Sequence, residues 1–235
     1  MLTVNQASVY FEARGGGYVH ALDRVSLEIP EDGFVVALGT SGCGKSTLLK
    51  AIAGFLQPVE GRITLKDRVI DGPGPDRMMV FQEFDQLLPW KTVRANVAYP
   101  MLVNGIGRDE AQSRALDALA KVNLSKFADA YPHMLSGGMK QKLSLVAALV
   151  AQPQILLLDE PTALLDETSQ REVLQLIHAL SRRPEQPITA IWITHRLEEL
   201  DWCDGAALMQ NGRIGAWRSG ANLQQQLRPL AHGQG

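Results

Sequence analysis

Cysteine is scarce in this chain: Cys43 and Cys203 are the only two in 235 residues. One possible pair cannot build a disulfide framework, so a reducing compartment fits better than an oxidising one. A strong charge of either sign is also missing. Lysine and arginine number 23 against 25 acidic residues, a net charge of −2. That removes any global electrostatic case for a nucleic-acid partner. Long apolar runs are absent too. Those present, such as Ile155 to Leu158, fall far short of the ~20 residues of a membrane span. No charged-apolar-cleavable leader opens the chain, so export is not expected. Repeats, low-complexity tracts, long heptads and basic runs are lacking as well. If this chain works at a membrane, it does so by docking to another subunit.

What is present is an ordinary globular composition, 46% hydrophobic and 20% charged. The length suits one domain with lobes and a sizeable core. Arg24 to Ile29 alternates as a half-buried strand should. Three continuous apolar runs, Phe34 to Leu38, Ile155 to Leu158 and Ile188 to Thr194, read as strands buried on both faces. Gly61 to Ile70 reads as a hairpin. So does Ala206 to Trp217, with Asn211-Gly212 at its turn and nothing but a short tail after Gly220. Helices are expected after Ser46, over Arg108 to Val122, and along the stripe Val173, Ile177, Leu180. Buried strands alternating with helices give an α/β fold with a largely parallel sheet. Helical patterning from about 93 to 152 marks an inserted helical lobe.

The chemistry begins at "GTSGCGKST", Gly39 to Thr47, which fits G-x-x-x-x-G-K-[ST] between a buried strand and a helix. Gly39, Gly42 and Gly44 let backbone N–H groups turn inward around phosphates. Thr40, Ser41, Cys43 and Thr47 complete the loop, Cys43 as a small residue without a catalytic role. Lys45 supplies a point charge for the β- and γ-phosphates. The Ser46 hydroxyl suits Mg²⁺, and the helix start favours an anion. The second half is "ILLLDEP". Asp159 ends a buried strand at the sheet edge where ligands bind, placed for the Mg²⁺ shell. Glu160 is placed to polarise a water, a general-base role. An Asp-Glu pair capping a helix is the plainer reading; the phosphate loop outweighs it. Asn-Lys-x-Asp, the guanine-specific motif, is absent, which weighs against GTP.

A second glycine-rich helix start, "LSGGMKQKL" from Leu135 to Leu143, raises the question of why one small protein would carry two. Other segments accompany it: Gln82 in "VFQEFDQLLPW", Asp166 in "ALLD", His195 in "ITHR" and Tyr10 in "SVYF". With these in order, the chain resembles the ATP-binding-cassette ATPases over essentially its whole length. The resemblance implies a RecA-like P-loop NTPase core with an antiparallel β subdomain, about 1–92 and 153–235. It implies an inserted helical subdomain of about 93–152. Gln82 would meet Mg²⁺ or the attacking water, and His195 the γ-phosphate. Tyr10 would stack on adenine, although Phe11 beside it is an equal candidate. Leu135, Ser136, Gly137, Gly138 and Asp166 would reach ATP bound to a second copy; Asp166 also suits a helix N-cap. This answers the question: one nucleotide needs a cradle on each side.

The implied role is an ATP-hydrolysing importer subunit on the cytoplasmic face of a bacterial inner membrane. Its partners would be transmembrane permease subunits, a second cassette (a homodimer) and, indirectly, a periplasmic solute-binding protein. "PGPDRMMVFQEFDQLLPW" is similar to importers for nitrate, sulfonates and taurine, while Leu88, Pro89 and Trp90 also suit packing of the helical lobe. Relatives often carry an acid where this chain has Arg196, and arginines where it has Lys140, Lys142 and Ala147. Ala163 and Leu164 replace a more usual serine and alanine. None of these removes a phosphate or metal ligand. Three rival readings fare worse. A soluble cassette ATPase acting on DNA or ribosomes would bring tandem cassettes, coiled coils or basic arms. A degenerate binding subunit would lack Glu160 or His195. A nucleotide kinase would leave "LSGGM" without a purpose.

Overall fold

The three apolar runs lie at the centre of a computed structural model that describes residues 1–13, 15–182 and 188–231. They form β3 (Phe34–Leu38), β7 (Ile155–Asp159) and β8 (Thr189–Thr194). Each is buried at every position because it is covered from both sides. Val35, Ala37, Leu157, Ile191 and Ile193 face one apolar cluster. Phe34, Val36, Leu38, Leu156, Leu158 and Trp192 face another. The period-2 alternation therefore selects a layer rather than core against solvent.

Before β3 come β1 (Leu2–Glu12) and β2 (Tyr18–Ile29); after it come α1 (Lys45–Ala53), β4 (Glu60–Leu65), β5 (Arg68–Val69) and β6 (Arg77–Val80). The helices α2 (Val93–Val103), α3 (Arg108–Lys121) and α4 (Gly137–Leu149) follow, then β7 and α5 (Glu167–Ser181). Beyond β8 lie β9 (Gly205–Gln210), β10 (Arg213–Ile214) and α6 (Gly220–Ala231). One sheet has the order β10-β9-β3-β8-β7-β6 and is parallel except for the β9–β10 hairpin. The other is antiparallel, β2-β1-β4-β5. α1 is sandwiched between the two sheets, while α5 and α6 cover the far face of the parallel one.

The helices α2 to α4 close over a cluster of their own, with Val97, Met101, Ala115, Leu119 and Leu143 inside. Asn96 fixes the loop that enters this lobe. Its amide donates to Leu88 O, Lys91 O and Thr92 O, and its Oδ1 accepts from Leu88 N. The tail after Gly220 is a helix, because Leu223 and Leu227 join the core beside β9 and the turn after β8. Residues 232–235 of that tail lie outside the described residues.

Candidate active site

β3 feeds straight into the phosphate loop. Gly39 N donates to Thr194 O at 3.2 Å, tying the loop's first residue to the end of β8. Thr40, Ser41 and Gly42 form an exposed crest, and Cys43 is buried beneath it. Gly44 caps α1 with φ 107°, and a Cβ there would lie 2.3 Å from Ala21 O. Only glycine meets both the torsion and the close approach of β2. Lys45 follows, 4% exposed. Its ammonium donates to Gly39 O at 2.7 Å and to Thr40 O at 2.9 Å. It also lies 3.6 Å from Glu160 Oε1. Thr47 sits partly buried on the first turn of α1.

β7 brings in the two acids from the side. Ser46 Oγ donates to Asp159 Oδ1 at 3.1 Å. Burial pushes the Asp159 carboxyl above its ordinary range, with the Ser46 hydrogen bond opposing the shift and the Glu160 charge adding to it. A buried carboxylate and a hydroxyl, both hard oxygen donors, suit Mg²⁺, which takes few protein ligands and completes its shell with water and phosphate. Glu160 has φ 44°, a left-handed conformation uncommon for a residue with a side chain. Its N–H donates to Ile193 O at 3.1 Å, which holds it there. Its Oε2 stands 3.0 Å from His195 Nδ1. Lys45, Glu160 and His195 thus form a continuous chain from three different elements. The His195 side chain is 55% exposed and the Glu160 side chain 16%, so the histidine is the face of the pair open to a reactant.

The other site residues lie around this centre. Gln82 is exposed just past β6, on the same sheet edge as Asp159, one strand over. Tyr10 pairs with His20 across β1–β2, ring centroids 4.4 Å apart, and its hydroxyl donates to Glu60 at 3.2 Å. Phe11 pairs with Val19 and faces the opposite side of that sheet. Next to His20, Ala21 brings its carbonyl oxygen against Gly44 of the phosphate loop.

Among the described residues, no hydrogen bond joins the Leu135–Gly138 segment to the phosphate loop of the same chain. Leu135 is buried, and Ser136 caps α4, its Oγ accepting from Met139 N at 3.3 Å. Gly137 and Gly138 start the helix. A Cβ on Gly138 would lie 2.4 Å from Ser169 Oγ. Asp166 caps α5: its Oδ1 accepts from Ser169 N and its Oδ2 from Ser169 Oγ. Those hydrogen bonds hold its carboxyl below the usual range. The Leu135–Gly138 and Asp166 segments therefore pack on each other through Ser169.

The departures of this chain also find partners. Lys140 lies 5.6 Å above the Phe84 ring, and Lys142 pairs with Glu172 on α5. Arg196 faces Glu198 and Glu199. Sequence reasoning missed Glu199, whose partner Thr162 lies 37 residues away in the chain.

Comparison with known proteins agrees with this architecture. The family model "ABC transporter" matches residues 22–163. The taurine import ATP-binding protein TauB of Rhizobium johnstonii is 49% identical over 215 residues, 92% of this chain and 81% of that one. The nitrate import ATP-binding protein NrtC of Synechococcus elongatus is 40% identical over 214 residues, 90% of this chain but 32% of that one. Among solved structures, a dimeric post-hydrolysis ATP-binding cassette bound to ADP and Pi superposes with TM-score 0.84 at 28% identity, covering 93% of this chain and 98% of the other. A Clostridium perfringens cassette from the cbiONQ transporter complex gives TM-score 0.82 at 28% identity, covering 99% and 95%. The family match, the relatives and the shared fold show that the chain belongs to the ABC transporter family as an ATP-binding, ATP-hydrolysing cassette.

Proposed function

We propose that this chain powers an importer, docked on the cytoplasmic face of the cell membrane and paired with a second copy around two ATP molecules. The cargo we assign is taurine, a sulfonate, nitrate or a related small solute. Names of the relatives support that assignment, because one is a taurine and the other a nitrate import ATP-binding protein. Among the described residues, no helix is long and apolar enough to cross a membrane. Work at a membrane therefore calls for permease subunits as partners, with a periplasmic solute-binding protein beyond them. Near Gln82 in the chain, Trp90 is 71% exposed, and Phe81 stacks on Phe55, itself exposed just past α1; these are apolar groups for such partners. The domain reading is a core of about 1–92 and 153–235, with the helical subdomain of about 93–152 between.

In this mechanism Lys45, the loop amides and the start of α1 hold the phosphates. Ser46 and Asp159 would hold Mg²⁺, assisted by Gln82, and the ion would offset charge on the phosphate oxygens. Glu160 orients a water for attack on the γ-phosphate, and His195, hydrogen-bonded to Glu160, contacts the γ-phosphate from the open side. Tyr10 stacks on adenine. Ser136, Gly137 and Asp166 complete the site of the opposite copy, with Leu135 and Gly138 shaping that surface. Catalysis is mostly positioning and charge stabilisation.

The single observation that carries this reading is the Lys45–Glu160–His195 chain, with Glu160 3.0 Å from the histidine. Glu160→Gln tests it. The variant should bind ATP as the unaltered chain does but lose turnover by about 10²-fold or more, the scale of a general base. Turnover near the original rate would remove Glu160 from the role.

A further inference from the structure

One buried carboxylate outside the nucleotide loop joins both segments that carry the catalytic pair. Glu199 is 2% exposed, in the short 3₁₀ stretch Leu197–Trp202 after β8. Its Oε2 accepts from Trp192 Nε1 at 2.7 Å. Its Oε1 accepts from Thr162 Oγ1. Trp192 is 0% exposed on β8, the strand that ends beside His195. Thr162 is 1% exposed, just past Glu160 and Pro161. The indole N–H can only donate, and here the threonine hydroxyl donates as well. Two inward donors need a group with two acceptor oxygens, and a carboxylate supplies them. Arg196, the residue after His195, brings its Nε to 3.9 Å from Glu199 Oε1. Its backbone N–H is held by Thr194 Oγ1 at 3.0 Å.

We propose that Glu199 is a positioning residue for turnover. Through Thr162 and Trp192 it locks the Glu160 turn to β8, and so sets the separation of Glu160 and His195. The backbone bond from Glu160 to Ile193 is the near tie between these segments, and Glu199 is the far one. Neither oxygen touches the nucleotide loop, so the effect is on geometry and not on ATP binding. The inference rests on the roles proposed above for Glu160 and His195.

The test uses the full chain with four variants: Glu199→Met, Glu199→Gln, Thr162→Val and, as reference, Glu160→Gln. Steady-state kcat and KM for ATP are measured beside equilibrium ATP binding and thermal unfolding. Glutamine can keep both links, accepting from Trp192 with its oxygen and donating to the Thr162 hydroxyl with its amide. It should retain kcat within about threefold, while Glu199→Met loses about tenfold or more, as misplaced catalytic groups do. ATP affinity should hold in both, the pattern of an interaction used only during reaction. If Glu199→Met fails to fold, Thr162→Val, which cuts one link, must show the same kcat loss at unchanged affinity. Folded variants with unchanged kcat overturn the proposal. So does equal loss in kcat and affinity, or a Glu199→Gln defect as deep as that of methionine. Turnover by Glu160→Gln would instead overturn the catalytic reading beneath it.

Discussion

Replacing Gly138 by alanine separates two reasons for a glycine at the start of α4. One is close approach to a nucleotide on a second copy. The other is packing within the chain. The alanine Cβ would stand 2.4 Å from Ser169 Oγ and 2.9 Å from Ser169 Cβ. The hydroxyl could swing aside only by giving up its 2.8 Å bond to Asp166, worth about 0.5–1.5 kcal/mol. The Ser169 Cβ has no such freedom. Overpacking of this kind costs about 1–3 kcal/mol. Alanine recovers roughly 1 kcal/mol of helix propensity over glycine, so the net loss is about 0–2 kcal/mol. At this size each kcal/mol moves Tm by about 2–4 °C. Thermal and denaturant unfolding without nucleotide would measure it. Ser169→Gly removes both clashing atoms. The double-mutant cycle should therefore show a favourable coupling of about 1–3 kcal/mol. Zero coupling, with Gly138→Ala as stable as the original chain but slower with ATP, would refute the packing argument and leave only the nucleotide.

Two other outcomes follow from the site. Burial raises the Asp159 pKa above its ordinary value, so the folded chain keeps that proton to higher pH than the unfolded chain. Its contribution to stability is full below the unfolded pKa and is lost as pH rises through the folded one. Asp159→Asn should then be more stable than the original at neutral pH and lose less stability from acid to neutral in denaturant titrations, while Mg²⁺-dependent ATP binding falls. An unchanged pH slope would contradict the cause given for the shift. Ser136→Arg removes the cap of α4, costing about 1 kcal/mol, and blocks the face offered to a second copy. It should spare ATP binding by the single chain but abolish hydrolysis that depends on dimerisation. Normal turnover in the assembled transporter would argue against a contact across the dimer.

The central strands were legible because a run such as Phe34 to Leu38 has no polar position to spare, which requires cover on both faces. Lys45 was legible because the glycine loop places it at a helix start, and Asp159 and Glu160 because an apolar run places them at a strand end. α6 was not, since "GANLQQQLRPLA" offers few apolar residues, and its folding depends on a surface built by distant strands. Glu199 was hidden for the same reason. In "HRLEELDW" it looks like a solvated acid, and its partners Thr162 and Trp192 come together only through the parallel sheet. The packing role of Gly138 was not legible either, because Ser169, which excludes a side chain there, lies on another helix.

The left-handed torsion of Glu160 bears on how this cassette would age over generations. Such a conformation costs of order 1–3 kcal/mol for an ordinary side chain, and glycine or asparagine would relax it. Replacement by glycine in particular would relieve that torsion while ending turnover. Selection on foldedness alone would not retain the glutamate. Its persistence in a lineage reports demand for work done with ATP, and a silent, well-folded cassette is one substitution away.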